Sequence, residues 1–247
     1  MDRLIYTAMT GAKQSMLRQD TLSHNLANAN TTGFRADTTA HRAVPIRGVG
    51  EGTRIFAIES TPGTDFSPGP IQQTGRNLDV AINGKGFFAV QALDGSEAYT
   101  RAGSFHLDEN GNLLLHGRHA VMGDGGPLNI PADSRVAIAD DGTVSAIPET
   151  GGLNAVTVVG RIKLVNPDEA DMVKGLDGLF RTRSGEAPAF DEYVRVGAGS
   201  VEGSNVNVVE AMVGIIAVAR QFEMQMKMLS VAEADSRSSA QLLNINS

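Results

Sequence analysis

The sequence predicts an α+β protein, with a discontinuous helical, coiled-coil-like domain drawn from both termini and an antiparallel β-rich central domain. Two observations carry this. Near the C-terminus, Val208, Met212, Ile215, Ala219, Phe222, Met226 and Leu229 recur in alternating steps of four and three, the spacing of a coiled-coil seam. Between the termini, short runs rich in β-formers are separated by Asn-Gly and Asp-Gly pairs, which supply the positive φ angles of tight hairpin turns.

The first helix is expected to start after Asp2, a good N-cap, with Ile5, Met9, Ala12, Met16, Leu22 and Leu26 on a looser stripe. It should end near residues 25–30, where Asn28, Asn30, Thr31, Thr32 and Gly33 form a run of helix breakers. Gly33 suits a left-handed C-terminal position. Residues 34–77 lose clear periodicity and carry Pro45, Pro62, Pro68 and Pro70 among several glycines, so they read as an extended connector with short strands.

Residues 78–203 read as the β-rich domain. Leu78–Ile82 alternates and meets Asn83-Gly84, and Phe87–Val90 meets Asp94-Gly95. Ser104–Leu107 meets Asn110-Gly111, and Val136–Ala139 meets Asp141-Gly142. Asp94-Gly95 reads as a turn, and the other three pairs as hairpin signals. The last helix opens at Asn207, with Glu210 three residues on in the manner of a capping box. The terminal helical domain is thus assigned to 1–33 and 204–247. A seam of this kind needs a helical partner, and the expected partners are the other terminus and the termini of neighbouring copies. That points to an assembly subunit, with all thirteen stripe residues as the assembly interface.

Composition narrows the function. The chain has 247 residues and a net charge of −7, which argues against nucleic acid as a partner. The charge is uneven: residues 1–50 hold six Lys/Arg and three Asp/Glu, about +3, and the remainder holds fifteen against twenty-five, about −10. Cysteine is absent, so disulfides, thiol catalysis and Cys-ligated metals are excluded. Lys13, Gln14, Arg18, Gln19 and Asp20 interrupt any signal-peptide-like core near the N-terminus. No stretch approaches the roughly 20 apolar residues of a membrane-spanning helix.

The motifs of chemistry are weak. His116 and His119 flank Gly117 with no nearby carboxylate, so exposed turn residues explain them better than a zinc site. Gly48-Val49-Gly50-Glu51-Gly52 lacks the spacing and the strand–helix context of a dinucleotide fingerprint. Asp108-Glu109 and Asp140-Asp141 are paired carboxylates, but their Gly-turn context explains them as hairpin loops rather than acid–base groups. No catalytic, cofactor, metal or small-molecule site is expected. Met212, Met224, Met226 and Met228 crowd more than one side of the last helix, which favours contact with several neighbours.

The stretch Asn25-Leu26-Ala27-Asn28-Ala29-Asn30-Thr31-Thr32-Gly33-Phe34 resembles the flagellar rod and hook protein family, whose N-terminal helix closes on such a motif. Glu202-Gly203-Ser204-Asn205-Val206-Asn207, followed by Arg220-Gln221-Phe222-Glu223, resembles that family's C-terminal signature. Leu78–Phe88 and Tyr99–Phe105 extend the likeness through the middle. Within the family the proximal-rod members are the most similar, while the distal-rod members share the length and architecture. The resemblance implies a non-enzymatic subunit of the bacterial flagellar basal-body rod. That rod spans the periplasm as a drive shaft between motor and hook. Its implied partners are other copies, other rod proteins and the flagellar type III export apparatus. Two other classes stand beside this reading: a periplasmic glycan hydrolase, which needs a cleft carboxylate pair, and a non-flagellar secretion or adhesion filament subunit.

Overall fold

Small side chains line the contact between the two terminal helices. The computed structural model describes residues 2–45, 55–132, 134–148 and 156–244. It divides into two compact units: Met1–Asn28, Ala36–Asp65 and Val206–Ser247 form one, and Ala29–Arg35 with Phe66–Asn205 form the other.

In the first unit, α1 (Asp2–Ala27) packs on α2 (Val208–Asn244). A Cβ placed on Gly214 would lie 3.1 Å from Leu22 Cδ1, and one on Gly11 would lie 2.8 Å from Gln225 Nε2. One number rises as the other falls, so the helices run antiparallel. Ala8, Ala12 and Ser15 are buried on α1, and Ala211 and Val218 on α2. The glycines make room for the Gln225 and Leu22 side chains of the opposite helix. The Ser15 hydroxyl donates to Gln225 Oε1 at 3.2 Å within this seam.

The same unit contains the antiparallel pair β1 (Asp37–Pro45) and β2 (Ile55–Thr64), in register from Asp37↔Thr64 to Pro45↔Ile55 with a bulge between Thr38 and Ala40. These two strands fall within the stretch expected to be a connector. Gly48 to Gly52 lie outside the described residues.

The second unit is built of short strands: β3 (Ile71–Gln73), β4 (Val80–Asn83), β5 (Phe87–Gln91), β6 (Glu97–Thr100), β7 (Phe105–Leu107), β8 (Leu113–Leu115), β9 (His119–Ala120), β10 (Met122–Gly123), β11 (Gly126–Pro127), β12 (Ser134–Ile138), β13 (Thr143–Pro148), β14 (Thr157–Arg161), β15 (Leu164–Val165), β16 (Met172–Lys174), β17 (Phe180–Thr182), β18 (Arg195–Ala198) and β19 (Ser200–Glu202). The largest sheet runs β15-β5-β6-β17-β16, and three-stranded sheets run β12-β13-β14 and β7-β8-β9. Two further pairings, β18-β4 and β19-β3, join segments far apart in sequence. The described pairings are antiparallel. Phe88 meets Phe105 edge-on at 5.3 Å in a core shared with Ile82, Leu113, Ile162 and Leu164. Phe87, Tyr99 and Phe180 form a second cluster, against which Phe66 packs.

Two of the three expected hairpins form, β7–β8 across Asn110-Gly111 and β12–β13 across Asp141-Gly142, and the turn expected at Asp94-Gly95 joins β5 to β6. The third hairpin does not form. Asn83-Gly84 turns the chain, with Gly84 at φ +89, but β4 pairs with β18 while β5 pairs with β6 and β15. Non-local pairing has overridden a favourable local turn. His119 also departs from expectation: it is buried in β9, with Nδ1 3.3 Å from the Gln91 carbonyl oxygen. His116 is exposed, and partial burial followed by the nearby His119 lowers its pKa below the ordinary histidine value.

Candidate assembly site

The N-terminal motif has two separate jobs. Its first part secures the exit of α1 within the first unit. The Asn25 carboxamide donates to the Asp37 carbonyl and accepts from the Asp37 N–H, both at 2.8 Å, as a neighbouring strand would. His24 Nδ1 lies 2.9 Å from Asp37 Oδ2. The Asn28 carboxamide donates to the His24 carbonyl at 2.9 Å, satisfying an acceptor in the last helical turn. Leu26 is half-buried and Ala27 exposed.

The second part docks inside the β unit. Gly33 takes φ +67, and its N–H donates to the Glu202 carbonyl at 2.7 Å. A Cβ there would lie 2.1 Å from the Ala102 backbone nitrogen, so any other residue meets both a strained φ and a collision. Phe34 carries Lys174 Nζ over its ring at 3.9 Å. Arg35, next in sequence, is buried against Glu202.

Glu202 is the centre of this site. Its side chain is 1% exposed, and those of Arg35 and Arg101 are 3% exposed. Oε1 lies 2.6 Å from Arg35 Nη1 and accepts from the Gly69 N–H at 2.9 Å. Oε2 accepts from Arg101 Nε at 2.7 Å and lies 2.6 Å from Arg101 Nη2. Arg101 also donates to the Gly86 and Gly84 carbonyls at 2.6 and 2.8 Å. Burial lowers the Arg101 pKa; Glu202 opposes that shift and the Arg35 charge adds to it. One carboxylate thus ties the N-terminal motif, the Tyr99–Phe105 segment and the C-terminal signature together. Neither Arg35, Arg101 nor Glu202 is a site residue on sequence grounds, because no local spacing announces a charge network whose members lie up to 167 positions apart (202 minus 35).

The C-terminal signature follows from Glu202. Ser204 is buried, and the Asn205 carboxamide donates to the Ser67 carbonyl at 3.1 Å. Val206 is half-buried. Asn207 caps α2: its Oδ1 accepts from the Val209 and Glu210 N–H groups at 3.1 and 3.2 Å.

The stripe residues divide between two faces. Ala12, Leu22, Leu26, Ile215, Ala219, Phe222 and Leu229 are buried or half-buried. The buried side of α2 follows Ala211, Ile215, Val218, Phe222, Gln225, Leu229 and Ala232, so the internal seam keeps Ile215, Phe222 and Leu229 but otherwise lies one residue ahead of the apolar pattern. Met9, Met16, Met212 and Met226 stay 54%, 56%, 50% and 47% exposed, and Val208 is exposed as well. Val209, Val213, Ile216, Met224, Met228 and Val231 add to the exposed apolar surface of α2. The side chain of Ile5 lies outside the described residues. So many exposed large apolar side chains on one helix are a mark of protein–protein contact. Among the described residues no group of three or more His, Asp or Glu is arranged to hold a metal, and no helix is long and apolar enough to cross a membrane.

Family models match at three places. A flagella basal body rod protein model covers residues 5–35, a flagellar hook protein FlgE/F/G D1 domain model covers 81–146, and a flagellar basal body rod FlgEFG protein C-terminal model covers 198–242. The flagellar basal-body rod protein FlgF of Escherichia coli (strain K12) is 45% identical over the whole of both chains. That of Salmonella typhimurium (strain LT2) is 44% identical, also over the whole of both. That of Caulobacter vibrioides is 34% identical over 98% of each. The chain belongs to the FlgF family of flagellar basal-body rod proteins. It is therefore a structural, non-enzymatic component of the rod, and the matched segments 5–35 and 198–242 include both parts of the buried Arg35–Glu202 pair. A FlgF-family protein assembles with rod subunits.

Proposed function

We propose that this FlgF-family subunit joins the proximal part of the rod by packing the exposed apolar faces of α1 and α2 against the helices of neighbouring subunits, both other copies and other rod proteins. The observation that carries the reading is the row of exposed valines, isoleucine and methionines on α2, which the internal seam leaves uncovered. Methionine adapts to irregular and non-identical neighbours, as a rod built of several proteins requires. Contacts that do not close on themselves extend into a helical tube, and a tube of interlocked helices carries torque from motor to hook across the periplasm. Its delivery to the rod is assigned to the flagellar type III export apparatus.

The test is Met212→Asp. The residue lies outside the internal seam, so purified Met212→Asp should keep the parent's helicity and melting behaviour, within the roughly ±0.5 kcal/mol typical of surface changes. In cells it should abolish swimming and leave basal bodies arrested before the hook in electron micrographs. Parent-like swimming with complete rods would refute the helix-face contact.

A further inference from the structure

Both terminal helices keep an uncovered stripe once their internal seam is closed. On α1, Met9, Lys13, Met16, Asp20, Ser23 and Ala27 are exposed and step by four and three in turn. On α2, Val213, Ala217, Arg220, Met224, Lys227 and Val231 are exposed and step in the same way. A row of this spacing is what a helix presents to one helical partner. Copies related by a helical repeat point the same way, so α1 of one lies antiparallel to α2 of the next. The four-three pattern is the same read from either end, so the two rows match residue for residue in that orientation.

Charge selects the register. Asp20 is the one carboxylate among the described side chains of α1, and it lies inside the stripe. Arg220 interrupts the apolar row of α2. Neither has a hydrogen bond or ion pair among the described residues. Setting Asp20 against Arg220 puts Met9 on Val231, Met16 on Met224, Ser23 on Ala217 and Ala27 on Val213. Lys13 then meets Lys227, which has Glu223 one turn earlier on its own helix. A shift of one heptad in one direction sets Lys13 on Arg220 and Asp20 on Val213, a like-charge pair and a carboxylate facing valine. The opposite shift keeps an acid–base pair, Asp20 with Lys227, but sets Met9 on Ser238 and Ala27 on Arg220, so apolar layers are lost. The first register combines an ion pair with the most apolar contact. It is also level with the internal seam, where Ser15 donates to Gln225 at 3.2 Å, since Met16 and Met224 are the adjoining residues.

We propose that the outer stripe of α1 packs antiparallel on the outer stripe of α2 of a second copy of this chain, with Asp20 of one paired to Arg220 of the next. The contact joins two different faces, so each added copy leaves one of each open and the row extends. The proposal rests on the helix-face reading and names its partner and register. Charge reversal in the full chain tests it: Asp20→Arg, Arg220→Asp and the double variant, with incorporation into isolated basal bodies measured by immunoblot. Both positions are exposed, and each purified variant should melt as the parent does. Each single variant should lose roughly tenfold or more in incorporation, since like charges brought face to face oppose association. The double variant should recover it. Parent-like incorporation of either single variant overturns the register, and so does a double variant no better than the singles, which would put a different rod protein on the stripe. The chain has no cysteine, so a second measurement is clean. Two differently tagged chains, one Met16→Cys and the other Met224→Cys, are coexpressed, and mild oxidation of their basal bodies should give a disulfide-linked dimer carrying both tags. Absence of that dimer overturns the register even if a charge-reversal variant fails to fold. Met212→Asp run in parallel separates the two ideas: if it blocks assembly while the charge reversals do not, the register alone fails, and if none of them blocks, the helix-face reading fails with it.

Discussion

The β unit and the helical unit solve opposite problems with similar material. In the β unit the large side chains are inside: Phe88, Phe105, Phe180 and Tyr99 are essentially fully buried, and even the central carboxylate, Glu202, is dry. Among the described side chains of the helical unit the buried hydrophobic residues are Ala8, Ala12, Ala211 and Val218, while methionines and branched aliphatics face outward. The hydrophobic effect scales with apolar area removed from water, so the first arrangement holds itself together and the second keeps much of its stabilisation in reserve. The difference fits the proposed role: the β unit holds itself together, and the helical unit leaves apolar surface exposed for a neighbour.

The contrast breaks most sharply at Glu202. Glu202→Gln keeps the shape but leaves Arg35 and Arg101 buried without a counter-charge, and breaking a buried pair in this way costs about 3–5 kcal/mol. Urea unfolding of the full chain should show the β-unit transition at a much lower midpoint, and an unchanged midpoint would mean that Glu202 is not the keystone. Gly33→Ala comes next. The new methyl group meets the Ala102 backbone and the φ of +67 is unfavourable, so destabilisation should exceed the roughly 1 kcal/mol of a simple glycine-to-alanine mismatch. A loss below that, read from the same transition, would show that the loop has room to move. The smallest effect belongs to the helical unit. Asn207→Ala removes the cap of α2 at a cost of about 1 kcal/mol. It should appear as lowered helicity by circular dichroism with the β-unit transition in place, and equal losses in both signals would erase the distinction.

How much of this was legible depended on the range of the interaction. The Asp94-Gly95, Asn110-Gly111 and Asp141-Gly142 turns were readable because a tight turn is settled by two residues. Asn207 was readable for the same reason, as its side chain bonds only two and three positions away. Asn83-Gly84 misled because the partner of β4 arrives from residues 195–198. The helical stripe was readable in period but not in phase. Large apolar residues at Met212 and Met226 drew the seam toward them, whereas the closest contact runs through Gly11, Gly214, Ala211 and the polar pair Ser15–Gln225, which carry little hydrophobic signal.

The sequence by itself determined the α+β division, the helical termini, most of the turns and, through its motifs, the family. Each of these depends on neighbours a few residues apart, where covalent geometry limits the choices. Only the tertiary structure decided which face of α2 turns inward and that Arg35, Arg101 and Glu202 share one buried site. A helix with two apolar faces specifies both equally well, and the choice goes to the face whose small residues admit the partner helix's side chains. A buried charge finds its counter-charge by the same rule: what is decisive is proximity in space, which separation along the chain does not reveal.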